Sequence, residues 1–133
     1  MRFLVDHNLS PRLARSLNEV VDADFGDQVV ALKDKFPVDT SDVDWMNSLA
    51  AEGSWCFISA DYRIKRSPVE RAALRKSRLT GFYLSKGLRK KELAVQAARL
   101  LLQWKTISTQ SRLVSGAALF EVLERGRLKQ MPF

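Results

Sequence analysis

Cysteine and histidine are each present once in this 133-residue chain, as Cys56 and His7. One cysteine cannot build an internal disulfide framework or a Cys-based zinc cluster, and one histidine excludes a multi-His metal site. Any bound metal must therefore be held by oxygen ligands. No apolar run approaches the ~18–20 residues of a membrane span, and an acid at position 6 breaks the pattern of a signal peptide. A cytoplasmic protein without a membrane partner is the expectation. There is no Gly-rich phosphate loop, so nucleoside-triphosphate chemistry is not expected. Repeats, low-complexity tracts and linkers are also missing, so residues 1–133 are read as a single domain with enough chain for a real core.

Charge is uneven rather than scarce. Residues 1–61 carry 5 Lys and Arg against 11 Asp and Glu, residues 62–133 carry 17 against 4, and the formal net charge is +7. An acidic first half is thus joined to a strongly basic second half. The basic excess points to a polyanionic partner, although net charge speaks for steering rather than for chemistry. A hydrophobic fraction of 46% with mean hydropathy −0.18 fits a folded soluble domain and not a disordered chain.

Along the chain, strand and helix signals alternate. Phe3–Val5 reads as a short buried strand. Ser10-Pro11 reads as an N-cap with proline in the first turn, followed by Leu13, Leu17, Val20 and Val21 at helical spacing, which predicts a helix over about 10–21. Val29–Leu32 is a second strand. Ser41 and Asp44 have capping-box spacing and open a helix with Trp45, Leu49 and Ala50 on its apolar face. Trp55–Ser59 is a third strand. Ser67 and Glu70 form another capping box, for a helix ending near Ser77, and Thr80–Leu84 is a fourth strand. Leu93, Ala97, Leu100, Leu101 and Trp104 predict one long helix over about 89–105, and Leu119–Leu123 with Arg127–Met131 form a candidate C-terminal hairpin. The order predicts an α/β sandwich with a mostly parallel sheet. The three tryptophans fall at core positions, and Cys56 heads a buried strand where a thiol is inert.

Two strands end in an acid: Phe3-Leu4-Val5-Asp6 and Ile58-Ser59-Ala60-Asp61. Ligands of parallel sheets bind beyond the carboxyl ends of the strands, so Asp6 and Asp61 stand where a ligand would lie. Asp42 can join them from a helix N-terminus, with Asp44 as second choice because the capping box already employs it. Carboxylates gathered together repel and resist desolvation. Mg²⁺ or Mn²⁺ relieves both, activates water and polarises a phosphoryl oxygen. Each acid also has a plainer reading, as a turn residue or a macrodipole partner. Asp22, Asp24, Asp27, Asp34 and Asp39 are read as solvated loop residues, and His7 as a packed or turn residue pointing away from Asp6.

Asp6-His7-Asn8-Leu9 after the first strand, Ser41-Asp42-Val43-Asp44-Trp45 entering a helix, and Ser59-Ala60-Asp61 leaving a strand occur in that order. Together they resemble the motifs of PIN-like nucleases, over about residues 1–105, and most closely the branch that includes toxins of type II toxin–antitoxin pairs. The resemblance implies a three-layer α/β/α sandwich and RNA hydrolysis dependent on Mg²⁺ or Mn²⁺. It implies Asp6, Asp42 and Asp61 as metal-binding acids, Asn8 assisting at the metal, and Ser59 hydrogen-bonded within the acidic cluster. The fourth acid of such centres has Asp44 as its nearest candidate. Residues 106–133 lie beyond the resemblance and could complete the sheet, form a homodimer or dock an antitoxin.

Arg63, Lys65 and Arg66 directly follow Asp61 and are the first candidates for phosphate contact. Arg71, Arg75 and Arg78 form a helical stripe, and Arg89-Lys90-Lys91 would open the long helix against its dipole. An acidic antitoxin could use the same surface. Two other functions fit the sequence: an RNA-binding module that does not cut, and a receiver-like domain with Asp61 as phosphoacceptor and Lys86 as its partner.

Overall fold

A computed structural model describes residues 1–132, with residues 64 and 65 as backbone only. Its strands are β1 (Arg2–Val5), β2 (Gln28–Ala31), β3 (Trp55–Ser59), β4 (Thr80–Leu84), β5 (Ala118–Val122) and β6 (Lys129–Met131). They form one six-stranded sheet in the order β2-β1-β3-β4-β5-β6. All neighbours run parallel except β5 and β6, which form the predicted antiparallel hairpin. The C-terminal segment therefore completes the sheet.

Alternation along the strands feeds two cores. Phe3, Val5, Cys56, Ile58 and Phe82 face one side, where they meet α1 (Pro11–Phe25), α7 (Leu93–Leu102) and α8 (Trp104–Leu113). Leu4, Phe57, Tyr83 and Leu119 face the other, against α3 (Asp42–Glu52) and α5 (Pro68–Ser77). Helices on both faces give the three-layer α/β/α sandwich, and burial on both faces is why the strands read as unbroken apolar runs. No helix among the described residues is long and apolar enough to cross a membrane.

The caps act as the sequence predicts. Ser10 Oγ accepts the Arg12 N–H at 3.1 Å, and Ser41 Oγ accepts the Asp44 N–H at 3.1 Å. Helix α1 runs past Val21 because its left-handed terminator is Gly26, with φ 69°. That places Asp22 and Asp24 in the helix rather than in a loop. Leu32 leaves the second strand to open the short helix α2 (Leu32–Lys35), which also holds Asp34. On α3 it is Met46, not the exposed Ala50, that joins Trp45 and Leu49 in the core.

The long helix over 89–105 is the largest correction. The segment instead forms α6 (Lys86–Arg89), α7 and α8, with the chain turning at Gln103. The buried Gln96 amide donates to the carbonyls of Arg89 at 3.1 Å and Lys91 at 3.2 Å, which holds the loop between α6 and α7. Glu92 is the N-cap of α7, so Arg89-Lys90-Lys91 precede that helix and do not oppose its dipole. Their position therefore carries no dipole cost that would point to phosphate binding.

Phe57 lies over Gly81 on the neighbouring strand, where a Cβ would strike its ring. The ring stacks edge-on between Trp45 (centroids 5.4 Å) and Tyr83 (5.9 Å). Gly81→Ala is expected to destabilise the fold by about 1–3 kcal/mol, the usual cost of overpacking, measured by urea unfolding. An unchanged midpoint would show that Phe57 can move aside.

Candidate functional site

The parallel register lays a polar row across one sheet face at the carboxyl edge. Asp6 follows Val5 and donates its N–H to the Ile58 carbonyl at 2.9 Å, which sets it beside Ser59. Ser59 pairs with Tyr83, and Tyr83 with Glu121. Sheet geometry alone thus brings Asp6, Ser59, Tyr83 and Glu121 onto neighbouring strands.

Asp6 is 1% exposed. Its Oδ2 accepts Ser59 Oγ–H at 3.0 Å and Asn8 Nδ2–H at 3.4 Å, and its Oδ1 accepts the His7 N–H at 2.7 Å. Burial pushes its carboxyl above the usual carboxylate range, the Asp42 charge adds to this, and the bonds from Ser59 and His7 only partly offset it. Ser59 uses its whole hydroxyl: it donates to Asp6 and accepts from Asn8 Nδ2 at 3.2 Å and the Asp61 N–H at 3.0 Å. Asn8 completes the brace by accepting the Ala60 N–H at 3.2 Å. The two motifs that end β1 and β3 are therefore tied side chain to backbone. His7 departs from expectation, because the turn brings its Nδ1 back to within 3.0 Å of Asp6 Oδ1.

Asp61 is held by Arg63, the first residue of the short helix α4 (Arg63–Arg66). Arg63 Nε and Nη2 donate to it at 2.9 and 2.6 Å, and the Arg63 N–H at 3.0 Å. The guanidinium holds the Asp61 carboxyl below its ordinary range, against the effect of burial. Arg63 is thus placed on an acid rather than turned out to a substrate phosphate. Arg66 is exposed, with Nε 3.5 Å from the Tyr62 carbonyl, and the Lys65 side chain lies outside the described residues. Asp42 Oδ1 accepts Trp45 Nε1–H at 2.9 Å.

Glu70, which the sequence assigns to a capping box, shares the electrostatic neighbourhood of Asp42, Asp61 and Asp6. Asp44 is exposed, and it is the Asp42 charge that acts on both Asp6 and Glu70. Glu70 sits in the first turn of α5, where a capping box explained it. Only half of that box forms: Ser67 Oγ accepts the Glu70 N–H at 3.5 Å, while the Ser67 N–H goes to the Arg63 carbonyl at 2.8 Å. Among the described residues the buried Glu70 Oε2 has no hydrogen-bond partner. Burial raises the Glu70 carboxyl, and the charges of Asp42 and Asp61 raise it further. The Tyr83 hydroxyl, also buried and unpartnered among the described residues, is raised by burial and then by Asp6, Asp61, Asp42 and Glu70 in turn.

The loop that carries Asp61 is fixed from a distance. Tyr62 Oη lies 2.7 Å from Glu121 Oε2 and 3.0 Å from the Leu84 carbonyl, and Arg89 Nη1 donates to the Ala60 carbonyl at 3.2 Å. Tyr62 packs edge-on to Tyr83 with centroids 5.2 Å apart.

Asp6, Asp42, Asp61 and Glu70 share one electrostatic neighbourhood and offer only oxygen donors, the donor chemistry that Mg²⁺ or Mn²⁺ takes. Their placement is open: among the described residues no three His, Cys, Asp or Glu side chains close around a common ion. Arg63 bonds both oxygens of Asp61, so a cation there competes with the guanidinium, whereas the Trp45 indole takes only Oδ1 of Asp42. Arg63→Ala is expected to tighten Mn²⁺ binding several-fold by freeing Asp61, as read by calorimetric titration. Weaker binding would show that Arg63 helps to build the centre.

No curated protein and no solved structure is found to match the chain. The family described as PIN like domain matches residues 1–86, which hold all four acids, Asn8 and Ser59. The match stops short of Arg89 and Glu121, although both brace the Asp61 loop. The chain belongs to the PIN-like domain family, a nuclease-type fold.

Proposed function

We propose that this chain is a ribonuclease that uses Mg²⁺ or Mn²⁺ to hydrolyse phosphodiester bonds in RNA, acting as the toxin of a type II toxin–antitoxin pair. One observation carries the chemistry: Asp6 is a buried carboxylate in the field of Asp42, with the unpartnered Glu70 Oε2 in the same neighbourhood. A divalent cation offsets both the repulsion and the desolvation. Asp6, Asp42, Asp61 and Glu70 would hold it, and it would supply an activated water and charge stabilisation at the phosphoryl group. Asn8 and Ser59 orient Asp6 and the Asp61 backbone. Arg63, Lys65 and Arg66 directly follow Asp61 in the sequence and would contact phosphate, with Arg63 exchanging Asp61 for substrate. The basic second half suits RNA as substrate and an antitoxin with an acidic segment as partner.

The reading is tested by incubating single-stranded RNA with the protein and Mn²⁺, with EDTA, and with the Asp61→Asn and Glu70→Gln variants. Cleavage by wild type alone is expected, with EDTA abolishing it and each variant losing at least about tenfold. Activity that survives EDTA would reject the metal. Full activity in both variants would reject the site. The oxygen-only centre, with the Asp6 carboxyl raised and the Glu70 oxygen unpartnered, favours this reading over a non-cutting RNA-binding module.

A further inference from the structure

Beyond the carboxyl ends of β1 and β2 the surface opens into a cavity of about 260 Å³. Pro11, Ala31 and Leu32 supply apolar wall, and the ionisable lining residues are His7 and Lys33. Val38, 96% exposed, stands on its rim. A concave, mainly apolar space with few polar groups, next to a perturbed carboxylate, has the form of a ligand site. His7 belongs both to this wall and to the surroundings of Asp6, so one residue separates the cavity from the acid centre. Its described lining contains no acid, which disfavours a cationic ligand and suits an anionic one.

We propose that this cavity receives an unpaired base of the RNA strand whose phosphate lies at the acid centre, an inference that rests on the ribonuclease reading. The aliphatic wall and the Val38 rim bury the base faces. With Nδ1 against Asp6, His7 keeps its ring 59% exposed and offers Nε2 for a hydrogen bond to the base edge. Lys33 meets the adjoining phosphate. The basic surface is blind to sequence, so this cavity is where the enzyme distinguishes bases.

The test compares a labelled 12-nucleotide oligo(A) with a ribose-phosphate 12-mer lacking all bases. Both carry the same charge, and anisotropy is read in EDTA so that nothing is cut. Wild type is expected to bind oligo(A) about tenfold tighter, within the range of base stacking. Val38→Ser, at an exposed position that cannot endanger folding, and Ala31→Leu, which fills the cavity, are expected to bring the ratio toward one without changing affinity for the abasic strand. Equal binding by wild type overturns the proposal. So does a ratio that survives both variants, which leaves the cavity to another occupant such as an apolar segment of a protein partner. A base-dependent ratio abolished by the variants, in a protein that cuts no RNA with Mn²⁺, supports the pocket while rejecting the nuclease reading.

Discussion

Asp6→Asn is expected to reduce Mn²⁺-dependent RNA cleavage by more than about 100-fold, beyond what losing a mere partner of a metal ligand costs. The reason lies in where the sheet puts this carboxylate. It is buried, it feels Asp42, and four groups from His7, Asn8 and Ser59 fix its two oxygens. An amide of the same shape cannot supply the negative charge that a hard cation needs. The same substitution has a second readout that does not depend on turnover. A cation that binds only the folded state stabilises it by about 2.7 kcal/mol at a concentration of 100 Kd. Mn²⁺ should therefore raise the wild-type Tm by roughly 10 °C, and Asp6→Asn should remove most of that rise. Cleavage lost with the thermal shift intact would make Asp6 a substrate or proton-handling group rather than a ligand. Both retained would remove Asp6 from the centre.

What could be read from the sequence, and what could not, follows the range of the interactions involved. Strands buried on both faces announce themselves as apolar runs, and Ser10, Ser41 and Ser67 mark helix starts because capping is local. The acids after β1 and β3 were legible for the same reason, since a strand end is a short-range feature. Glu70 was hidden by a sufficient local explanation, the capping box, and only the Ser67 N–H turning to Arg63 shows that its carboxylate is left over. The helix break at Gln103 was hidden because apolar spacing runs on through Trp104, while the loop preceding α7 is held by the single polar residue Gln96. Nothing local pointed to the bracing roles of Tyr62, Glu121 and Arg89, the last of which read only as part of a basic run. Their role exists only because β5 lies beside β4 and brings Glu121 level with Tyr83.

Asp27 is the clearest case of a residue misread at short range, and it carries the largest expected effect on stability. Its position after Gly26 suggested a solvated loop. Instead it is fully buried, with Oδ2 accepting Trp104 Nε1–H at 3.0 Å and Oδ1 accepting Arg112 Nη2–H at 2.7 Å and the Met1 amine at 3.1 Å. Those first two partners lie 77 and 85 residues away, so one side chain ties the junction of α1 and β2 to α8. Asp27→Ala would strand the buried Trp104 N–H and remove the counter-charge of Arg112. Arg112 is itself half exposed, so losing its bond together with that of the buried Trp104 costs about 2–4 kcal/mol, a large share of the roughly 5–15 kcal/mol that holds a domain together. Asp27→Asn keeps the shape and loses the charge, at about 1.5–3 kcal/mol. Burial opposes the Asp27 charge, but the bonds from Ser108, Trp104, Arg112 and the terminal amine outweigh it and hold the folded carboxyl below its ordinary range. A lowered folded pKa means that the unfolded chain takes up the proton first. The stabilisation is therefore complete above about pH 4, near the unfolded value, and drains away as pH falls through the folded one. Urea unfolding of wild type and Asp27→Asn from pH 7 downward should show a gap that is constant to about pH 4–5 and narrows below it. A gap that stayed constant into strong acid would mean that shape and not charge is what Asp27 contributes.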